Sequence, residues 1–90
     1  MDHKEFLQYM NILKERPFAL YPVPKGVDEM QNGYLRAAKY NYVDDTPTHV
    51  IIQNDVSSKS YHIPLLLIEF INPGWMRLKR ELTPVNGDLL

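Results

Sequence analysis

The sequence predicts an α+β domain: an N-terminal helix packed on a small three- to four-stranded antiparallel sheet that could curl towards a small barrel. Three observations carry this expectation. Apolar residues near the N-terminus recur at helical spacing, from Phe6 through Met10 to Leu13. Val50, Ile51 and Ile52 stand in succession, and β-branched residues favour strands. Turn residues punctuate the second half, above all Asn72-Pro73-Gly74.

The elements follow in order. Asp2 can cap a helix over about residues 3–15, and Glu5, three residues on, completes an acidic capping box. Leu7, Tyr9 and Ile12 widen the apolar stripe, and Lys14 and Arg16 suit the negative end of the helix dipole. Pro17 disfavours helical backbone at Arg16 and ends the element. Residues 17–26 hold Pro17, Pro22, Pro24 and Gly26 and read as an extended connector packed over the domain through Phe18, Leu20, Tyr21 and Val23. A short turn is expected at VDEMQNG.

The antiparallel sheet is expected over about residues 34–82. Alternation from Tyr34 to Tyr42 favours a strand with Tyr34, Arg36, Ala38, Tyr40 and Tyr42 on one face. THVIIQN and SYHI form a hairpin across the polar loop DVSSKS. If Gln53 pairs with Ser60, His49 falls opposite Pro64 and Ile51 opposite His62. Pro64 either opens a helical turn or bends a strand that runs on to Ile71. Leu65, Leu66, Leu67, Ile68, Phe70 and Ile71 are expected in the core, because a nine-residue apolar run holding Pro64 and Glu69 falls short of the roughly 20 residues of a membrane span. Pro73 and Gly74 then turn the chain. WMRLKREL fits both periods; as a strand it sends Met76, Leu78 and Leu82 inward and Trp75, Arg77, Lys79 and Glu81 outward. The tail, 83–90, is expected to fray.

Composition bounds the function. Ninety residues make one domain of modest stability, for which a partner or a second copy is a fair expectation. Six cations face seven carboxylates in residues 1–45, and four face four in residues 46–90. The net charge is −1, so no overall field favours nucleic acid. Cysteine is absent, which excludes disulfides and thiolate chemistry and suits a cytoplasmic setting. MDHKEFLQYM lacks the basic and apolar regions of a secretory leader.

No catalytic constellation stands out, and the protein is not expected to be an enzyme. Ser57, Ser58 and Ser60 share a polar loop without the elbow an activated nucleophile needs. The four glycines are scattered and make no phosphate-binding fingerprint, so no cofactor is expected. Asp44, Asp45, His49 and His62 are metal-ligand types without metal-site spacing, so no metal is expected.

What the sequence does offer is aromatic and cationic surface. Tyr, Trp and Arg are favoured in interface centres. The candidate docking residues are Tyr34, Arg36, Tyr40, Tyr42, Trp75, Arg77, Lys79 and Arg80, facing another protein or a second copy of the chain. Such a domain would suit an adaptor, an inhibitor or a regulatory protein. The alternative is a small nucleic-acid-binding domain that stacks bases on Trp75 and the Tyr34–Tyr42 strand and holds phosphates with Arg77, Lys79 and Arg80. No membrane partner is expected.

Overall fold

A computed structural model describes residues 1–24 and 38–90. The expected turn at VDEMQNG and the start of the tyrosine strand, with Tyr34 and Arg36, lie outside the described residues. Helix α1 spans His3–Glu15, and the Asp2 side chain caps it by accepting from the Glu5 amide at 2.8 Å. Phe6 and Leu13 are buried, with Tyr9, Met10 and Ile12 against them, while Leu7 faces solvent instead of widening the stripe. The Met1 ammonium donates to the carbonyls of Leu65 and Ile68, at 2.9 and 3.0 Å, and ties the start of α1 to the middle of the chain.

Among the described residues eight short strands follow: β1 Ala19–Tyr21, β2 Tyr40–Asp45, β3 His49–Asn54, β4 Ser60–Pro64, β5 Ile68–Asn72, β6 Trp75–Leu78, β7 Pro84–Val85 and β8 Asp88–Leu89. They form two mixed sheets, β1-β6-β5 and β2-β3-β4-β8-β7. The α+β class holds. The single antiparallel sheet of three or four strands does not, and the strands close no barrel among the described residues. Among the described residues the two sheets are joined at the Phe18–Tyr40 bridge, where the two backbones exchange hydrogen bonds of 2.9 and 2.8 Å.

The additional strands come from two segments not expected to join a sheet, the packed connector and the tail. The connector supplies β1, which pairs in parallel with β6 because the Ala19 amide reaches the Gly74 carbonyl. Three residues are too few to show alternation, so prolines dominated the sequence pattern. The tail does not fray. Asn86 and Gly87 both adopt positive φ, 50° and 88°, and turn β7 back into β8. Two consecutive positive φ values are what a tight two-residue hairpin demands, and Asn-Gly is its strongest sequence signature. The Thr83 and Leu90 backbones close the ladder, β8 pairs in parallel with β4 at His62 and Asp88, and Leu89 is fully buried. Burying a leucine contributes about 1.5–3 kcal/mol, which is enough to hold a two-residue strand in place.

The central hairpin matches its expected register: Gln53 pairs with Ser60, His49 with Pro64 and Ile51 with His62. Past it, the apolar run splits. Leu65–Leu67 form a single 3-10 turn between β4 and β5. A turn of three residues cannot send three leucines the same way. Leu65 is buried, Leu67 is half-buried and Leu66 is 71% exposed. Ile63, Ile68 and Ile71 are core, whereas Phe70 faces outward.

Candidate functional site

The outer face of the β1-β6-β5 sheet is assembled by two local devices. The first is the Pro73-Gly74 turn, with Gly74 at φ 85°, which sets Asn72 opposite Trp75 and fixes the register of β5 and β6. Alternation then puts Met76 and Leu78 in the core and Trp75 and Arg77 outside. The second is an irregularity in β5 between Ile68 and Phe70. Here Glu69 and Phe70 both point outward while Ile68 and Ile71 point inward. An extra residue of this kind re-aims the side chains that follow it.

The result is one aromatic and charged patch. Tyr21, Arg77 and Phe70 lie in register across the three strands. Trp75 sits one step along the middle strand, and both flanking rings meet it edge to face. Phe70 lies 5.4 Å from it at 72°, and Tyr21 lies 6.0 Å from it at 79°. Tyr21 and Phe70 remain 41% and 40% exposed. Edge-to-face pairs of this geometry add about 0.5–1.5 kcal/mol beyond burial, so the rings hold one another in place while still open to solvent. Arg77 Nε lies 3.9 Å from Glu69 Oε2, and each side chain is about half exposed. Lys79 and Arg80 follow β6 directly and are exposed. The Lys79 amide donates to the Leu67 carbonyl at 2.9 Å, and Arg80 reaches the Glu81 carbonyl at 3.3 Å.

The eight residues singled out in the sequence therefore separate. Trp75 and Arg77 share the patch, and Lys79 and Arg80 continue from it. Tyr40 belongs instead to the core, 1% exposed and edge to face with Tyr61 at 6.3 Å. It offers no surface to a partner, because the bridge to Phe18 sets it between the two sheets. Tyr42 is committed to the helix. Its hydroxyl donates to Asp45 Oδ1 and lies 3.3 Å from Met10 Sδ, and Lys14 Nζ stands 5.3 Å from its ring centroid. Tyr34 and Arg36 fall outside the described residues.

Two further members of the patch, Tyr21 and Phe70, fall in the sequence pattern to the connector and to the core. A signal for Phe70 was present: Ile68 and Ile71, three apart and followed by a turn, cannot both face inward in a regular strand.

A second polar cluster pins α1 to β2. His3 Nε2 lies 2.7 Å from Asp45 Oδ2, while Tyr42 binds the other carboxylate oxygen. Those two bonds hold the Asp45 carboxyl below its ordinary pKa, the tyrosine contributing most. Burial and the neighbouring carboxylate push the Tyr42 phenol upward. A phenol raised this far stays protonated and donates; it is no base or nucleophile at neutral pH. His49 and His62 meet on the outer face of the five-stranded sheet with ring centroids 6.5 Å apart. His49 Nδ1 is bound to Thr48 Oγ1 at 2.7 Å and His62 Nδ1 lies 3.4 Å from Asp88. Among the described residues no group of three or more His, Asp or Glu side chains is arranged to hold a metal ion. No helix among them is long and apolar enough to cross a membrane.

No known family model matches the chain, and neither a curated protein nor a solved structure matches it.

Proposed function

We propose that the protein is a non-catalytic docking domain that binds another protein or a second copy of itself through the outer face of the β1-β6-β5 sheet. It would act as an adaptor, inhibitor or regulatory subunit, by steric or assembly effects. One observation carries the reading: half-buried Trp75 touches exposed Tyr21 on one side and exposed Phe70 on the other, on a strand face that polar residues could have occupied at no cost to the core. Trp75 is the centre of the patch and Arg77 its orienting charge. Aromatic anchors of this kind supply affinity, and a guanidinium adds geometric selection.

The same side chains support a second reading as a stacking platform for single-stranded nucleic acid, because Arg77, Lys79 and Arg80 stand near the rings. Against it, Glu69 lies beside Arg77 and the chain is slightly acidic, whereas phosphate contacts supply much of the affinity in such complexes.

Trp75→Ala separates the possibilities. The variant is expected to keep the circular-dichroism spectrum of the parent and to lose co-purification of its partner from a native lysate. Retention of that partner sinks the docking reading. Binding of a mixed oligonucleotide pool at low salt, collapsing as salt rises and with a slope reduced by Arg77→Ala, would replace it with the nucleic-acid reading.

A further inference from the structure

We infer that the occupant of this face is a second copy of the chain, packed sheet on sheet about a two-fold axis that runs along the strands between β5 and β6. The inference rests on the docking reading above and names its partner.

The argument begins with Glu69 and Arg77. They are adjacent on the outer face, opposite in sign and about half exposed, yet 3.9 Å apart. They form a loose ion pair, longer than the about 2.7–2.9 Å of a charge-assisted hydrogen bond, so each side chain keeps hydrogen-bonding capacity for a partner. The β5 irregularity is what brings Glu69 outward beside Phe70; in a regular strand one of the two would face the core. In a two-fold interface residue i meets j and j meets i. An axis passing between two neighbouring residues of opposite charge sets each against the other's counterpart, so Arg77 of each copy meets Glu69 of the other. The same operation sets Trp75 over the other copy's Asn72, next to its Phe70 on the outer face. Aromatic groups then occupy the centre and two ion pairs fix the register.

The charge balance favours a second copy over a polyanion. A nucleic-acid strand would meet Glu69 as a repulsive neighbour, whereas a copy of the face meets it with Arg77. A chain of net charge −1 also meets its twin without appreciable long-range repulsion. Three strands at about 4.8 Å spacing make a narrow face, smaller than the roughly 800 Å² per partner of a stable interface. The association is therefore weak and concentration-dependent.

Sedimentation equilibrium of the full chain tests this. The wild type should rise from 10.6 kDa towards twice that mass as concentration increases through the high micromolar range. Arg77→Glu and Glu69→Arg place like charges against one another and should each remain at the monomer mass throughout. Mixed in equal amounts, the two variants restore both pairs and should form the heterodimer that neither forms alone. Both positions are exposed, and circular dichroism checks that each variant stays folded. A wild type that stays at the monomer mass, or single variants that assemble like the parent, or a mixture that fails to recover, overturns the second-copy inference. The docking reading fails separately, when Trp75→Ala keeps both the parent's assembly and its partners. A monomeric wild type that loses a captured protein on Trp75→Ala keeps the docking reading and removes the self-pairing.

Discussion

The two sheets share a core but display different outer faces. Inward, both are the same material: Leu20, Met76, Leu78, Ile68 and Ile71 in one, Val50, Ile52, Ile63 and Leu89 in the other. Outward, the three-stranded sheet carries Tyr21, Phe70, Trp75 and Arg77, while the five-stranded sheet carries half-buried His49, Ile51 and Gln53 beside exposed Ser60 and His62. Folding dictates the inner residues, because each apolar side chain removed from water contributes about 1.5–3 kcal/mol. It leaves the outer ones largely free. A concentration of large apolar rings on one outer face, where the other carries imidazoles and polar groups, is therefore a property of the surface that the core does not require.

The sharpest way to break that contrast is to compare neighbours on one strand. Met76 and Arg77 are adjacent on β6, one fully buried and one outward. Met76→Ala should lower unfolding free energy in urea by about 2–5 kcal/mol, as lost transfer energy plus a cavity. Arg77→Ala should change it by no more than about 0.5 kcal/mol. If Arg77→Ala cost as much as Met76→Ala, the outer patch would be part of the structural framework, and its exposed rings would need no partner to explain them.

A smaller effect is expected where α1 meets β2. Asp45 accepts from Tyr42 and lies 2.7 Å from His3, and its side chain is 15% exposed. Asp45→Asn should cost about 1–2 kcal/mol near neutral pH, in the range for hydrogen bonds to a charged group. The sign with pH follows from the lowered pKa of the folded state. Unfolded Asp takes up a proton near pH 3.9, and folded Asp45 does so only below that. The stabilisation is thus fully present above about pH 5 and is lost as pH falls through the folded value. Urea titrations from neutral to acid pH should show the gap between wild type and Asp45→Asn closing below about pH 4. A gap independent of pH would mean that the contact is steric and not ionic.

How far the sequence revealed the molecule depends on the length of the element. The helix and the central hairpin were legible to their register, because thirteen residues in α1 and eleven positions of the β3–β4 pair repeat their period several times. β1, β7 and β8, with three, two and two residues, are shorter than any period that could announce them. Their partners are distant in sequence: β1 pairs with β6, and β8 with β4. Asn86-Gly87 is the one local sign of the last hairpin, and the two-residue strands on either side of it add no pattern of their own. At the candidate site, Trp75 and Arg77 were found by alternation. Tyr21 and Phe70 join them only through a parallel pairing and a strand irregularity, both tertiary facts. Tyr40 sits on the same alternation as Tyr42, yet one is core and one is bound to α1. Period 2 tells which residues share a face, not which face is covered.

The other outer face supplies the smallest effect and the control. His62 Nδ1 and Asp88 Oδ1 lie 3.4 Å apart at the register pair that joins β4 to β8, and each side chain is about half exposed. It is tempting to credit this pair with holding the last hairpin. The structure offers two stronger restraints: the His62 amide donates to the Gly87 carbonyl at 2.9 Å, and Leu89 is fully buried. Neither depends on the imidazole. Exposed ion pairs contribute about 0–1 kcal/mol, so His62→Ala should shift unfolding free energy by about 0.5 kcal/mol or less. Amide exchange at Leu90, whose NH binds the Thr83 carbonyl, should stay as slow as in the parent. Sedimentation should be unchanged too, because the substitution lies on the five-stranded sheet and not on the aromatic face. Faster exchange at Leu90 in His62→Ala would transfer the anchoring of β8 from buried leucine to surface charge. Altered sedimentation would show that both outer faces, and not one, take part in assembly.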